Sequence, residues 1–396
     1  MAIKRLFFIL FTILLFGIYS CKENPRNYNS NLLGPDQVDL ITVDSFSGSF
    51  PQSSTSFKTV IKTGASFMML VGKYNNQVAS TLLKFNYYLP DSVKNDILNS
   101  NASITDAWVE LTRVYVFGDS NGTFQFGAYK ITSPWSSIGF TADSLENGAQ
   151  FTYDATDIAT QKNVTDSLTS FHLNTSYMTN ELMNYGNGQA TNGLYLNPIS
   201  GNQTVFGYSG VLSSSYTTLP IIKIVVSKPG FYTDTLGMDT YEDVSVLTGG
   251  LPAISNPTDM IVQPMSVAQS RVAFDCSSIP SGAIINKATL ILSLDIGSTV
   301  KGSSYNSNLS AFNIADSSGK SIDSTLSKIT LTYSNDTFQG DVTSFVQKWV
   351  TKKQNQGILL TPEDGLFGME IWAILGSNSS QQFNRPRLVI TYTIKK

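Results

Sequence analysis

The chain of 396 residues carries a formal net charge of −3, a pI near 5.3 and only 14 % charged residues. An acidic, sparsely charged chain leaves no electrostatic footprint for nucleic acid, and that partner class is set aside. Its 41 % apolar and 11 % aromatic residues suffice for a sizeable core, and the abundant Ser, Thr, Asn and Gly fit an exported β-rich protein.

Residues 1–20 read as a signal peptide. Lys4 and Arg5 precede an apolar run from Leu6 to Ile18, which is shorter than the ~20 residues of a membrane-spanning helix. Ile18-Tyr19-Ser20-Cys21 follows and resembles a lipobox, with an aliphatic residue three before and a small residue just before the cysteine. The resemblance implies an acylated Cys21 and membrane lipid as a partner; Tyr19 departs from the usual small residue. The alternative is an ordinary cleaved signal with an incidental cysteine. Neither Lys22 nor Glu23 is the aspartate of an inner-membrane retention signal, and the pair resembles the charged export signals of Bacteroidota surface lipoproteins. The expected location is the outer membrane, on its periplasmic or surface face. Residues 21–40, rich in Asn, Pro and Gly, read as a lipidated tether.

Beyond the tether the sequence is self-similar. Leu83-Lys84-Phe85-Asn86 matches Val272-Ala273-Phe274-Asp275, and Ala107-Trp108-Val109-Glu110-Leu111 matches Ala288-Thr289-Leu290-Ile291-Leu292. Phe171 and Asn174 correspond to Phe338 and Asp341. Each of these pairs leads into a short helix: Thr175, Met178, Thr179, Leu182 and Met183 share one face, as do Val342, Phe345, Val346, Trp349 and Val350. Asn174 and Asp341 stand where a cap belongs. Gly193-Leu194-Tyr195-Leu196-Asn197-Pro198 matches Gly357-Ile358-Leu359-Leu360-Thr361-Pro362 without a gap, and the Pro220–Val226 run matches Pro386–Tyr392. Both closing runs are β-branched and begin with proline, which favours strand starts.

This order of blocks predicts a tandem duplication, with its boundary at the turn signal Lys228-Pro229-Gly230. The expected division is 41–228 and 229–396. Short apolar runs separated by Gly, Asn, Asp and Ser clusters predict an all-β fold: two tandem β-sandwich or jelly-roll domains, each with one short α-helix.

The second copy resembles a known family. Ser270-Arg271-Val272-Ala273-Phe274-Asp275, Ile279-Pro280, the helix from Asp341 to Trp349 and the closing Arg385-Pro386-Arg387-Leu388 strand are similar to the DNRLRE-type β-sandwich domains. These are carbohydrate-binding-module-like jelly rolls of exported bacterial proteins. The likeness covers residues 258–396 well and 65–227 more loosely. Leu82 stands opposite Arg271 and Leu182 opposite Trp349, while Tyr129, Pro134 and Trp135 resemble the family's strand-then-Trp segment. The layout also resembles Bacteroidota lipoproteins. The motif residues are packing residues, so the resemblance implies a fold more than a ligand.

Catalytic chemistry has few residues to work with. His172 is the one histidine, so any His-based triad or metal site must use it; its place before the first helix, opposite Gln339, reads as polar surface. Cys276 alternates with Val272 and Phe274 and reads as a buried, inert thiol rather than a reactive one. Glu363-Asp364, and Glu242-Asp243 with Asp239, fit surface turns, a glycosidase pair or a calcium site. No cofactor, metal or catalytic residue is assigned.

Among the aromatics, Trp349 lies on an apolar helix face and reads as core. Trp372 is either core or a sugar platform, and Trp135 either rims the core or stacks on a sugar. Tyr185, Tyr216 and Tyr305 sit in polar segments suited to exposed stacking. The expected function is a non-enzymatic, lipid-anchored glycan-binding protein contacting polysaccharide through Trp372, Tyr185, Tyr216 and Tyr305. The alternative is a structural or assembly component that meets other cell-surface proteins along strand edges.

Overall fold

The computed structural model describes residues 38–395 apart from 48–49, 121, 123, 147–150, 200, 202, 214–217 and 266–267. The expected signal peptide, Cys21 and the expected tether before residue 38 lie outside the described residues.

The described chain opens with β1 (Val38–Asp44) and β2 (Gln52–Lys58). There follow β3 (Met68–Tyr74), β4 (Gln77–Phe85), helix α1 (Asp91–Leu98), β5 (Ser103–Gly118), β6 (Phe126–Ile131) and helix α2 (Ala142–Glu146). Next come β7 (Tyr153–Asp157), β8 (Ala159–Val164), β9 (Leu168–Leu173), helix α3 (Thr175–Gly186), β10 (Leu194–Pro198), β11 (Thr204–Ser209), β12 (Ile221–Lys228) and β13 (Tyr232–Thr248). The rest is β14 (Met260–Val262), β15 (Ala268–Phe274), β16 (Ile284–Ser293), β17 (Leu309–Asn313), β18 (Ile329–Ser334) and β19 (Thr337–Asp341), then helix α4 (Thr343–Lys352), β20 (Ile358–Pro362), β21 (Trp372–Ile374) and β22 (Arg387–Lys395). The fold is β-rich, as the turn-punctuated alternation predicts.

Strands β3–β13 form one eleven-stranded sheet. Its long strands bend between layers: β13 pairs with β12 through its first half and, past a register shift at Thr240–Glu242, with β4 through its second. The other large sheet has nine strands in the order β1-β22-β16-β19-β18-β17-β20-β15-β2, and β14 pairs with β21 beside it. Each sheet wraps its own apolar core, one around Phe171, Leu182 and Ile222, the other around Phe274, Phe338 and Trp349.

The sequence-matched blocks occupy corresponding places. Ile222 faces Val109 and Ile224 faces Ala107, just as Leu388 faces Leu290 and Ile390 faces Ala288. Leu83 faces Leu194 as Val272 faces Ile358. Gly193 and Gly357 explain why both blocks open with glycine. Their φ values are +77° and +90°, and a Cβ would collide with Leu83 O in one and crowd Val272 O in the other. The match is not complete, because Phe171 faces Val109 while Phe338 faces Leu292 rather than Leu290.

Three expectations need correction. The turn Lys228-Pro229-Gly230 divides nothing: it is the tip of the β12–β13 hairpin, with Lys228 paired to Tyr232. The chain leaves the first sheet after Thr248, passes through β14 of the small β14–β21 pair and returns to the second sheet at Ala268. Residues 38–58, expected to be tether and first domain, instead supply both edge strands of the second sheet, β1 on β22 and β2 on β15. The first sheet is therefore an insertion between β2 and β14. Finally, three helices rather than one lie within the span of the first sheet. On α3 the buried face is Tyr177, Met178, Glu181 and Leu182, while Thr175 is exposed.

A third apolar cluster joins the two sheets. Met68, Leu70, Tyr115, Phe117, Val205 and Leu247 of the first pack against Ala268 of the second and against Ile261, Met265, Met369 and Ile371 in and around the β14–β21 pair. Gln77 and Gln263 exchange paired amide hydrogen bonds of 2.8 and 2.9 Å across it. Burying two polar side chains there is tolerable because each satisfies the other.

Candidate functional site

The segment between β1 and β2 and the segment before β22 meet to form a groove of about 510 Å³, within the usual range of small-ligand sites. Its position follows from one ion pair. At the end of β1, the Asp44 carboxylate takes Arg387 Nε at 3.0 Å and Nη2 at 2.5 Å. The Arg387 hydrogen bond holds the Asp44 carboxyl below its ordinary value and raises Arg387 further. Asp44 Oδ1 also accepts Phe46 N at 3.0 Å, and Ser45 Oγ accepts Leu388 N at 2.9 Å. The chain is thus turned sharply through Ser45–Ser47, and Phe50, only 3 % exposed, pins the return into β2.

These restraints fix the Phe46 ring beneath the Arg387 guanidinium, 4.9 Å away, and stacked on Phe383 at 5.9 Å with 30° between planes. Phe383 is 83 % exposed and Phe46 38 %. Gln52, Asn378, Gln382 and Arg385 complete the lining. Arg385 Nε donates to Ser379 O at 2.8 Å, which steadies its loop. Gln52 Oε1 is buried with no hydrogen-bond partner among the described residues. A buried acceptor in that state costs free energy until a donor reaches it. Chemically, the groove offers two aromatic faces for apolar surface, and amide and guanidinium groups for hydroxyls.

The residues expected from sequence are not gathered here. Trp372 is 1 % exposed, edge-on to Phe338 at 5.3 Å and capped by Tyr305 at 5.7 Å, so it is core and presents no platform. Tyr305 is 38 % exposed, but Lys301 Nζ already sits 5.3 Å over its ring. Tyr185 is half-buried against Tyr87 at 5.9 Å and belongs to the first sheet's core. Tyr216 lies outside the described residues.

The remaining aromatics and titratable groups are also accounted for. Trp349 is buried and donates from Nε1 to Asn313 Oδ1 at 2.7 Å. Trp135 is buried and donates to Asn192 O. His172 Nδ1 lies 2.8 Å from Asp106 Oδ1, and its ring stacks on the half-buried Trp108. Cys276 is buried, and desolvation pushes its thiol up to about 12. Glu363 pairs with Lys328 and Ser310, and Glu242 with Lys84, Ser136 and Ser137. Among the described residues, no group of three or more His, Cys, Asp and Glu side chains is placed to hold a metal ion.

Phe46 and Phe383 were missed by the sequence reading. Each is a lone phenylalanine in a polar stretch, Asp44-Ser45-Phe46-Ser47 and Ser379-Ser380-Gln381-Gln382-Phe383-Asn384. A large apolar side chain with no periodic partners is the signal that was present.

No protein-family model matches the chain, and no curated protein matches it. Among solved structures, it is similar to the full-length major pilin SpaD from Corynebacterium diphtheriae, with 10 % identity and a TM-score of 0.19. That match covers 73 % of this chain and 49 % of the pilin, so the chain spans about half of the pilin's length. At that score the likeness carries no argument about function.

Proposed function

We propose that the protein is a non-catalytic glycan-binding lipoprotein, held at the outer membrane by an acyl group on Cys21 and binding sugar in the Phe46–Phe383 groove. The observation that carries this reading is the exposed, stacked phenylalanine pair beside amide and guanidinium groups in a concave site. Sugar rings have an apolar C–H face and a hydroxyl rim, and the groove offers a counterpart to each.

The topology suits an anchored binder. The chain from the anchor enters at Val38, the first residue of β1, whereas Phe46 follows its last. Seven residues of strand, at about 3.3 Å each, set the groove roughly 20 Å from that end.

The test is a glycan array followed by calorimetry on the detergent-solubilised full chain. Phe383→Ala should weaken binding at least about tenfold, equivalent to ~1.4 kcal/mol. An array with no ligand, or a Phe383→Ala variant that binds as tightly as the parent, would sink the proposal. The anchor is tested separately: Cys21→Ser should abolish palmitate labelling and release the protein from the membrane fraction.

The second reading, an assembly component, is favoured by one observation. Among the described residues β1 is an edge strand whose Val38 and Leu40 are 46 % and 69 % exposed, and an open edge is a template for another strand. Leu40→Lys would weaken self-association or capture of surface proteins under this reading and leave glycan binding untouched.

A further inference from the structure

We infer that the Phe46–Phe383 groove is one stretch of a longer channel, which takes an internal, extended segment of a largely uncharged linear polysaccharide rather than a single sugar or a chain end. This rests on the glycan-binding reading and narrows it to a ligand class.

The channel is a row of cavities that share walls. The first, about 420 Å³, lies against Cys276, Trp349 and Lys353 at the end of α4. It shares Asp275 and Asn355 with a second of about 370 Å³. The second shares Pro51 and Gln52 with the Phe46–Phe383 groove. That groove in turn shares Asn378 with a fourth cavity of about 510 Å³, lined by Ser54, Ser56 and Asp259. Strand β2 and the residues just before it run along the last three, with Pro51 at the second and Ser56 at the fourth. Five residue steps of extended chain are roughly 17 Å, longer than one sugar ring.

Joints between cavities carry side-chain amides at Asn355, Gln52 and Asn378. Asn355 is tied to Phe274 O and Gly357 N and serves as wall. Gln52 Oε1, at the second joint, is the buried acceptor without a partner. The rest of the Gln52 side chain lines both cavities, where a chain passing from one to the next would meet it. The charges along the row are of both signs, Lys353 and Arg385 against Asp275. Mixed charges give no field of one sign to draw a polyanion. The Phe46–Phe383 groove has a neighbouring cavity on either side, at Pro51–Gln52 and at Asn378, which is the arrangement a chain passing through would use.

The experiment is calorimetry of the detergent-solubilised full chain with gluco-, manno- and xylo-oligosaccharide ladders, each from the monosaccharide upward and with both chain ends free or capped. Affinity should rise by at least tenfold with length before levelling, and capping should change it less than twofold. Ser281→Trp, at an exposed position lining the first cavity, should remove the gain shown by long members and leave short ones unchanged, with thermal unfolding as in the parent. A short sugar binding as tightly as a long one, loss of binding on capping, or no effect of the Ser281→Trp plug overturns the channel while leaving glycan binding intact. Absence of binding to every ladder and to the array overturns the glycan reading itself.

Discussion

The Tyr115 hydroxyl, on β5 of the first sheet, donates to Glu370 Oε1 in the segment before β21 at 3.0 Å while accepting Met369 N at 2.9 Å. Both side chains are at most 2 % exposed; Tyr115 belongs to the apolar cluster that joins the sheets, and Glu370 stands between two of its members, Met369 and Ile371. The bond and the cluster around it therefore tie the first sheet to the rest of the structure. Tyr115→Phe should destabilise the protein by about 1–3 kcal/mol, the usual effect of stranding a buried partner. Chemical denaturation should still show one transition; a second transition for the first sheet alone would count against a shared core.

Burial raises the Glu370 carboxyl from 4.5 to about 7. A group that holds its proton more tightly in the folded state adds stability below its unfolded value, and that stability is lost as pH climbs through the folded one. Asp243, raised to about 6, acts in the same direction. Stability should thus fall between about pH 4.5 and 7 on their account. Glu370→Gln keeps the acceptor for Tyr115 without the titration. It should flatten this slope, by up to about 3 kcal/mol at pH 8, with little effect at pH 4.5. An unchanged pH slope in urea unfolding would show that Glu370 does not set it.

The position of β1 can be trapped covalently. Thr42 and Thr391 face each other across β1 and β22, with hydroxyl oxygens 3.0 Å apart. Thr42→Cys with Thr391→Cys should form a disulfide on mild oxidation, seen by mass spectrometry. It should stabilise by a few kcal/mol, roughly as a long closed loop does. Two free thiols after oxidation would contradict the β1–β22 pairing. For the same reason, cutting the chain at Pro229 should not yield two folded halves, since that cut separates β1 and β2 from the sheet they border.

Large-to-small changes in the matched helices should be costly in both. Trp349→Ala removes a buried ring and strands Asn313, for a loss of roughly 3–5 kcal/mol, and Leu182→Ala should lose roughly 2–5. Thermal unfolding is the check, and a loss below 1 kcal/mol in either would place that side chain outside its core.

Cys276 should react slowly with a thiol reagent in the native protein, because burial both shields it and holds it protonated near neutral pH. Labelling should become fast in denaturant. Equally fast labelling of native protein would mean that the cavity beside Cys276 admits the reagent to the sulfur.

What the sequence determined by itself is whatever short-range chemistry specifies. The alternation in Ala288–Leu292, the prolines opening the Ile221 and Arg387 strands, and the apolar face of the helix at Trp349 each required a strand or helix in place. The glycines at 193 and 357 likewise reported a backbone conformation that other residues resist. The tertiary structure alone decided which strands meet. Gln52–Lys58 reads Gln-Ser-Ser-Thr-Ser-Phe-Lys, a polar edge strand whose local pattern does not reveal that its partner lies more than 200 residues away, as at Ser56 and Ser270. Because that pairing folds the start of the chain onto the far sheet, Phe46 meets Phe383. A groove built from two segments so far apart in sequence has no signature in either segment alone, since its geometry depends on long-range register, and register is set by packing rather than by local propensity.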